Sequence, residues 1–218
     1  MLIDKIERLL LKVQKPSRYI GGENGSIMKD KKNVDVRFAF CFPDSYDIGM
    51  SHLGMKILYS LINSRENYWC ERVFAPWTDF EELMRENDIP LYALESLDPV
   101  KDFDFIGFTM QYELSYTNLL NMLDLAGVPL YAKDRGDSLS PIVVAGGPCV
   151  CNPEPFADFC DLISLGEGEE VTIEMMELYE KMKKQGATRQ EFLREAAKID
   201  GIYVPSLYTV EYNDDGTI

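Results

Sequence analysis

The stretch from residue 141 to residue 170 constrains the fold of this chain more than any other part of the sequence. It holds two apolar runs of strand length, residues 142–145 and 161–165, and each run ends in a glycine turn. This pattern is typical of an open α/β sheet, in which ligands bind outside the carboxyl ends of the strands. Glycine at a strand end lets backbone N–H groups approach a ligand that no side chain obstructs. We therefore expect the functional site at this edge of the sheet.

Apolar runs and helical patterns alternate along most of the remaining sequence. Further strands are predicted at residues 34–42, 68–75 and 104–110, and helices at residues 51–62, 114–125 and 168–186. Strands that alternate with helices form a parallel sheet with right-handed crossovers. The predicted fold is therefore α/β, a flavodoxin-like (Rossmann-like) doubly wound parallel sheet of five strands in the order 2-1-3-4-5.

Both ends of the chain extend this predicted sheet. Residues 1–33 are expected to form an N-terminal helix and an irregular arm, residues 34–186 the α/β domain, and residues 187–218 a helix and the start of a β hairpin. The alternating pattern at residues 207–212 precedes the turn signal Asp214-Asp215-Gly216. A hairpin without a second strand predicts that a catalytic domain follows in a longer protein.

Three helix starts carry capping signals. Ser51 is predicted to be the N-cap of the helix that follows the first strand, because its hydroxyl can accept a hydrogen bond from a backbone N–H group. A threonine followed three residues later by a glutamate predicts a capping box at Thr78 with Glu81 and at Thr188 with Glu191.

The charge and the cysteines exclude several classes of protein. A formal net charge of -15 predicts that this segment binds neither nucleic acid nor an anionic membrane surface, since phosphate affinity needs clustered Lys and Arg. Charged residues interrupt the first 14 residues, so no signal peptide is predicted. The five cysteines contain no CxxC pair, which favours reduced thiols. We expect a cytoplasmic protein.

No set of residues predicts a self-sufficient catalytic site. His52 is the only histidine, and the GxSxG motif of serine hydrolases is absent. One alternative is a small-molecule enzyme in which Asp44, Asp47 and Glu167 converge on a divalent metal. A metal site at Cys149, Cys151 and Cys160 is disfavoured, because tetrahedral sites need a fourth ligand.

The glycine-rich stretch resembles a known family. VVAGGPCVCNPEPFADFCDLISLGEGEE resembles the signature of the cobalamin-binding-like domain that precedes the catalytic barrel in many radical S-adenosylmethionine (SAM) proteins, the Fe-S oxidoreductases. Residues 51–58 resemble that family's first helix, and residues 104–109 resemble its middle strand. The resemblance covers about residues 34–186. The N-terminal helix and the KPSRYIGGE arm resemble one functionally uncharacterised subgroup of these proteins.

The resemblance implies a set of cobalamin-binding residues. Gly146 and Gly147 match the glycines that border the nucleotide tail of the cofactor, and Thr109 matches a Ser/Thr after the middle strand, although Gln111 replaces the family's Leu. The family's D-x-H-x-x-G motif is out of register around His52, so the resemblance implies binding without a histidine ligand to cobalt, or lost binding. The implied cofactor-binding residues are Ser45, Ser51, His52, Gly54, Thr109, Gln111, Gly146, Gly147, Pro148, Gly166, Glu167 and Gly168.

The cysteine motif of radical SAM chemistry is absent from these residues. None of the five cysteines has the CxxxCxxC spacing that holds a [4Fe-4S] cluster and leaves one iron open for SAM. The resemblance therefore implies an accessory domain whose partner is its own C-terminal radical SAM domain, which would carry the cluster and SAM in the parent protein. It leaves open whether the domain holds cobalamin or is a structural domain that packs on the barrel with nothing bound.

Overall fold

A single sheet of six strands forms the centre of the molecule in the computed structural model, which describes residues 2–209, 211 and 213–217. The strands are β1 (Val36–Phe42), β2 (Tyr68–Phe74), β3 (Phe105–Thr109), β4 (Ile142–Gly146), β5 (Leu162–Ser164) and β6 (Ile202–Tyr203). Their order is β2-β1-β3-β4-β5-β6. The first five strands are parallel, which confirms the doubly wound fold and the predicted order.

The sixth strand differs from the five-stranded prediction. A short strand is expected from the sequence at residues 201–205, but its place in the sheet is not. In the structure β6 pairs antiparallel with β5, through Ile163 with Tyr203 and Ser164 with Ile202. Gly201 has a φ of 85°, an added Cβ there would lie 2.7 Å from the carbonyl oxygen of Leu165, and its own carbonyl oxygen accepts from the N–H of Leu165 at 2.7 Å. This close approach extends the pairing of the two chain segments beyond β5 and β6.

Helices cover both faces of the sheet. They are α1 (Leu2–Leu10), α2 (Tyr46–Gly49), α3 (Leu53–Asn63), α4 (Thr78–Glu86), α5 (Tyr116–Ala126), α6 (Gly168–Lys184) and α7 (Arg189–Ala196). α3 packs beside α6, whereas Arg85 of α4 donates a 2.7 Å hydrogen bond to Asp124 of α5. Across the described residues, no helix combines the length and the apolar character that a membrane span requires. α3 and α6 cover the part of the sheet that forms the candidate site.

Two of the three predicted caps are wrong. His52, not Ser51, is the N-cap of α3, and the hydroxyl of Ser51 instead donates to the carbonyl oxygen of Ile48 at 2.8 Å. At α4 the N-cap is Trp77, with no side-chain capping bond, so Thr78 forms no capping box. The capping box of Thr188 with Glu191 is confirmed.

The N-terminal arm, residues 16–33, lies against the β2 edge of the sheet. The backbone N–H of Ile27 donates to the hydroxyl of Tyr59 at 2.8 Å, and the carbonyl oxygen of Ile27 accepts from Trp69 at 2.9 Å. Lys29 donates to the carbonyl oxygens of Asn63 and Arg65, at the carboxyl end of α3. The arm is thus part of the packed structure and covers the outer side of α3.

The predicted strand at residues 207–212 lies partly outside the described residues, since these exclude Val210 and Tyr212. The described residues 208, 209 and 211 are not in a strand. The turn at residues 214–216 is present, with the N–H of Gly216 donating to the carbonyl oxygen of Asn213 at 2.8 Å.

Candidate functional site

A cavity of about 510 Å³ opens at the carboxyl edge of the sheet and extends between the sheet and the helices α3 and α6. Strands β1, β3, β4 and β5 supply one wall, the two helices supply the other, and the turns after β3, β4 and β5 border the mouth. This volume lies in the range of sites that bind small molecules, which is roughly 300–1,000 Å³.

The floor of the cavity is apolar and aromatic. Phe38 and Phe40 project from the same face of β1, because strand side chains alternate. Gly107 in β3 makes room for the Phe38 ring, since a Cβ at Gly107 would lie 2.2 Å from the ring carbon Cζ. Leu58 of α3 and Met175 of α6 face this floor from the other wall. The inner end of the cavity therefore suits an apolar group.

The turn after β4 forms one side of the mouth. Gly147 has a φ of 100°, and an added Cβ would lie 2.8 Å from the carbonyl oxygen of Met110. That oxygen is held by a 3.1 Å hydrogen bond from the N–H of Cys149, and the N–H of Met110 donates to Gly146 at 2.7 Å. Only glycine fits at position 147, so the segments after β3 and β4 lie side by side with bare backbone at the opening.

The turn after β5 forms the opposite side of the mouth. Gly166 has a φ of 98°, and no atom lies within 4 Å of where its Cβ would be. Glu167 is the N-cap of α6, and Gly168 begins the helix with room for only a small residue, because a Cβ would lie 3.3 Å from Leu58. The two glycine turns thus border one opening.

Polar side chains at the mouth are already organised by internal hydrogen bonds. The amide of Gln111 donates to the hydroxyl of Thr109 at 2.6 Å. The Nδ1 of His52 accepts the N–H of Met55 at 3.1 Å and so caps α3. A neutral imidazole that accepts at Nδ1 carries its proton on Nε2. Gly54 gives the ring space, since a Cβ there would lie 3.0 Å from the His52 Cε1.

The structure places most of the predicted cofactor-binding residues around this one cavity. Those that line it are His52, Gly54, Thr109, Gln111, Gly146, Gly147, Pro148, Gly166, Glu167 and Gly168. Ser45 and Ser51 do not line it: Ser45 is buried at the start of α2, and Ser51 is exposed beside it. The binding role of all these residues stays a prediction.

Acidic and phenolic groups lie near the mouth. Glu167 and Glu169 line it from the start of α6. Tyr112, which follows β3, donates a short hydrogen bond to Asp44, which follows β1. That bond to the carboxylate, together with partial burial, raises the pKa of Tyr112 to about 12. The pair joins the ends of two neighbouring strands beside the opening.

The acidic residues proposed as metal ligands are engaged elsewhere. Asp47 forms ion pairs with Lys15 and Arg18 in the N-terminal region, and Asp44 accepts from Tyr112. Within residues 2–209, 211 and 213–217, no group of three His, Cys, Asp or Glu residues is arranged to hold a metal ion. The geometry gives no support to a metal-dependent enzyme built on these carboxylates.

Sequence reasoning missed the inner wall of the cavity. The sequence patterns assign Phe38, Phe40, Gly107 and Ser164 only to strands and Thr172 only to a helix, although all five line the cavity. The alternation of phenylalanines in β1 and a glycine inside an apolar strand are the signals that point to these positions.

Comparisons with known proteins assign the chain to a family. The model of the family described as "Radical SAM proteins, N-terminal" matches residues 54–205. The uncharacterized protein MJ0966 of Methanocaldococcus jannaschii is 28% identical over 188 residues, which cover 85% of this chain and 35% of that protein. The chain therefore spans about a third of the length of this relative. No solved structure matches the chain at a significant level.

Proposed function

This chain belongs to the family of radical SAM N-terminal domains, and from that premise we propose that it holds the nucleotide tail of cobalamin in the cavity under α3 and α6. In the parent protein the domain presents the cofactor to a catalytic radical SAM domain that carries a [4Fe-4S] cluster and SAM. The observation that carries the proposal is the cavity itself, whose mouth lies between two turns of bare glycine backbone.

The lining fits the two ends of such a tail. The apolar inner end, with Phe38 and Phe40, suits a planar aromatic base, which gains free energy by leaving water. The mouth offers the backbone of Gly146 and Gly147 and the hydroxyl of Thr109 to the polar sugar and phosphate. Met50, Met110 and Tyr112 are not among the lining residues, so they leave this space open.

His52 does not fit the role of a cobalt ligand. Its Nδ1 is used as the cap of α3, and its Nε2 carries the proton. The residues of this chain therefore bind the tail, orient it and exclude water from it, without ligating the metal through His52. When bound, cobalamin supplies a cobalt centre for methyl transfer or for rearrangement chemistry.

Exposed apolar side chains at the same edge support a docking role. Ile48, Leu53, Leu114 and Leu165 each follow the carboxyl end of a strand, and they are 51%, 68%, 85% and 40% exposed. Apolar side chains gathered at one edge mark an interaction surface. The occupant that we propose is the radical SAM domain of the same protein, because the relative is far longer than the part that matches this chain.

The same exposed edge favours one second candidate, a structural domain that packs on the radical SAM barrel with no cofactor between them. The two candidates differ in one measurable property, which is the affinity of this chain for cobalamin.

Titration of the purified chain with hydroxocobalamin, followed by calorimetry and by absorbance, tests the proposal. We expect saturable binding at micromolar concentrations. Gly146→Val places a branched side chain at the mouth on an extended backbone and should weaken binding by at least tenfold. Ala132→Val, which makes a similar change away from the cavity, should bind like the unmodified chain. No heat and no absorbance change at these concentrations would leave the structural domain as the function.

A further inference from the structure

A second cavity, of about 300 Å³, lies on the other side of α3. The arm, α2, α3 and β2 enclose it, and its lining includes Asn24, Gly25, Met50, Lys56, Tyr59 and Arg72. It shares no lining residue with the cavity described above. Its chemistry is therefore independent of the proposed cofactor site.

Arg72 gives this cavity its chemistry. Its side chain is 10% exposed, and it donates from Nε to Glu95 at 2.7 Å and from Nη2 to Ser26 at 2.7 Å. For Nη1, the described residues supply the thioether sulfur of Met50, at 3.5 Å. A thioether is a weak acceptor, and a buried guanidinium nitrogen gains much more from an oxygen. The Nη1 group of Arg72 therefore lacks a strong hydrogen-bond acceptor, although Arg72 lines an open cavity.

The charge of the lining points to an anion. Arg72 and Lys56 both line the cavity, and none of its lining residues is acidic, although the chain has 37 acidic residues and 22 basic ones. Glu95 balances the charge of Arg72, and Lys56, which is exposed to solvent, carries the second positive charge. The planar guanidinium matches the geometry of a carboxylate or a phosphate. Arg72 is held in place by Ser26 and by the ring of Tyr59, whose centroid is 4.7 Å from the Arg72 Cζ.

We propose that this second cavity binds a small oxyanion, a carboxylate or a phosphate group, through the Nη1 of Arg72 and the ammonium of Lys56. The oxyanion supplies the oxygen acceptor that Met50 does not. Because Ser26 and Asn24 belong to the arm, the bound anion also strengthens the attachment of the arm to α3.

The test measures binding of inorganic phosphate and of acetate to the full chain by calorimetry and by thermal unfolding, with ionic strength held constant by sodium chloride. We expect saturable binding of at least one of the two, with an increase in Tm that chloride does not give. Binding of phosphate alone identifies a phosphate ligand, and binding of acetate alone identifies a carboxylate ligand.

Two substitutions distinguish anion binding in this cavity from non-specific attraction of anions to any positive charge on the chain. Replacing Arg72 leaves Glu95 without its partner and endangers the fold, so Lys56→Gln is the variant of choice. It should weaken binding roughly tenfold, the loss of one charge-assisted contact. Lys181→Gln removes the same charge from an exposed position on α6 and should leave the affinity unchanged. Equal losses in the two variants, or no binding of either anion beyond that of chloride, would overturn the proposal.

Discussion

Substituting three glycines by alanine tests how the mouth of the first cavity is built. Gly147→Ala forces a Cβ to 2.8 Å from the carbonyl oxygen of Met110, on a backbone with φ of 100° and ψ of -179°. That region of backbone conformation is open almost only to glycine and costs other residues about 1–3 kcal/mol. The Met110 oxygen is itself hydrogen-bonded to Cys149, so it cannot move away freely. We expect a loss of ~3 kcal/mol in the free energy of unfolding, from strain and overpacking together.

Two matched variants separate the contribution of backbone strain from that of the close contact with Met110. Gly127→Ala also carries a positive φ, 68°, but has nothing within 4 Å of the added Cβ, so it should cost only about 1 kcal/mol. Gly146→Ala has an extended backbone, and its Cβ meets Ser164 at an ordinary 3.8 Å. It should cost nothing, or gain about 0.5 kcal/mol by restricting the unfolded chain.

Urea and thermal unfolding followed by circular dichroism measure all three variants. For a chain of this size, a loss of ~3 kcal/mol corresponds to a fall in Tm of about 6–12 °C. The reasoning is refuted if Gly147→Ala loses no more than Gly127→Ala, or if Gly146→Ala loses as much as Gly147→Ala. Either result would mean that close backbone contact does not fix the turn after β4.

Four further predictions concern single side chains. Arg135→Met should lower the free energy of unfolding by about 3 kcal/mol, because Arg135 donates to three backbone carbonyls and pairs with a buried Asp. Arg189→Met should cost clearly less than Arg135→Met in the same urea titration, because Arg189 lies 3.1 Å from the Asp161 carboxylate without a well-aligned hydrogen bond, and Asp161 keeps its hydrogen bond from Arg135; equal losses would contradict both predictions. His52→Ala should cost about 1 kcal/mol by removing the cap of α3, whereas His52→Asn, which keeps an acceptor, should cost less than half as much in thermal unfolding; a similar cost would exclude the capping role. Asp44→Asn should lower the pKa of Tyr112 from about 12 toward the ordinary tyrosine value, measured by NMR titration of the ring carbon that bears the hydroxyl; an unchanged pKa would show that the carboxylate does not set it.

The sheet could be predicted because its signals are local. Apolar runs end in glycine turns, helical patterns follow them, and the rules for parallel crossovers then leave few orders of strands. The position of β6 could not be predicted in this way. Its pairing with β5 depends on the close backbone contact of Gly201 with Leu165, and the sequence of a two-residue strand does not indicate such a contact.

Helix starts show how distant contacts override a local signal. The same Thr-x-x-Glu pattern occurs at Thr78 and at Thr188, yet only Thr188 forms a capping box. At α4 the backbone N–H of Trp77 donates to the Tyr19 hydroxyl, and Asp79 accepts from the N–H of Gln14. Both partners belong to the N-terminal region, so residues far from α4 in the sequence determine how this helix begins.

The mouth of the cavity was predictable and its depth was not. Glycines such as Gly146 and Gly166 mark backbone that side chains leave bare, and this mark is visible in the sequence. The inner wall depends on how far α3 and α6 stand from the sheet and on how the Phe38 ring lies over Gly107. These are properties of packing among distant segments, as is the weakly satisfied Arg72 of the second cavity.

Hydrogen–deuterium exchange of the chain with and without hydroxocobalamin reports whether the cavity under α3 and α6 is the cofactor site. We expect the amides of Gly146, Gly147 and residues 166–169 to become protected together, because the two turns border one opening. Exchange at the amino ends of the strands should not change. A chain that shows no added protection at either turn, or protection confined to the opposite edge of the sheet, would contradict the account.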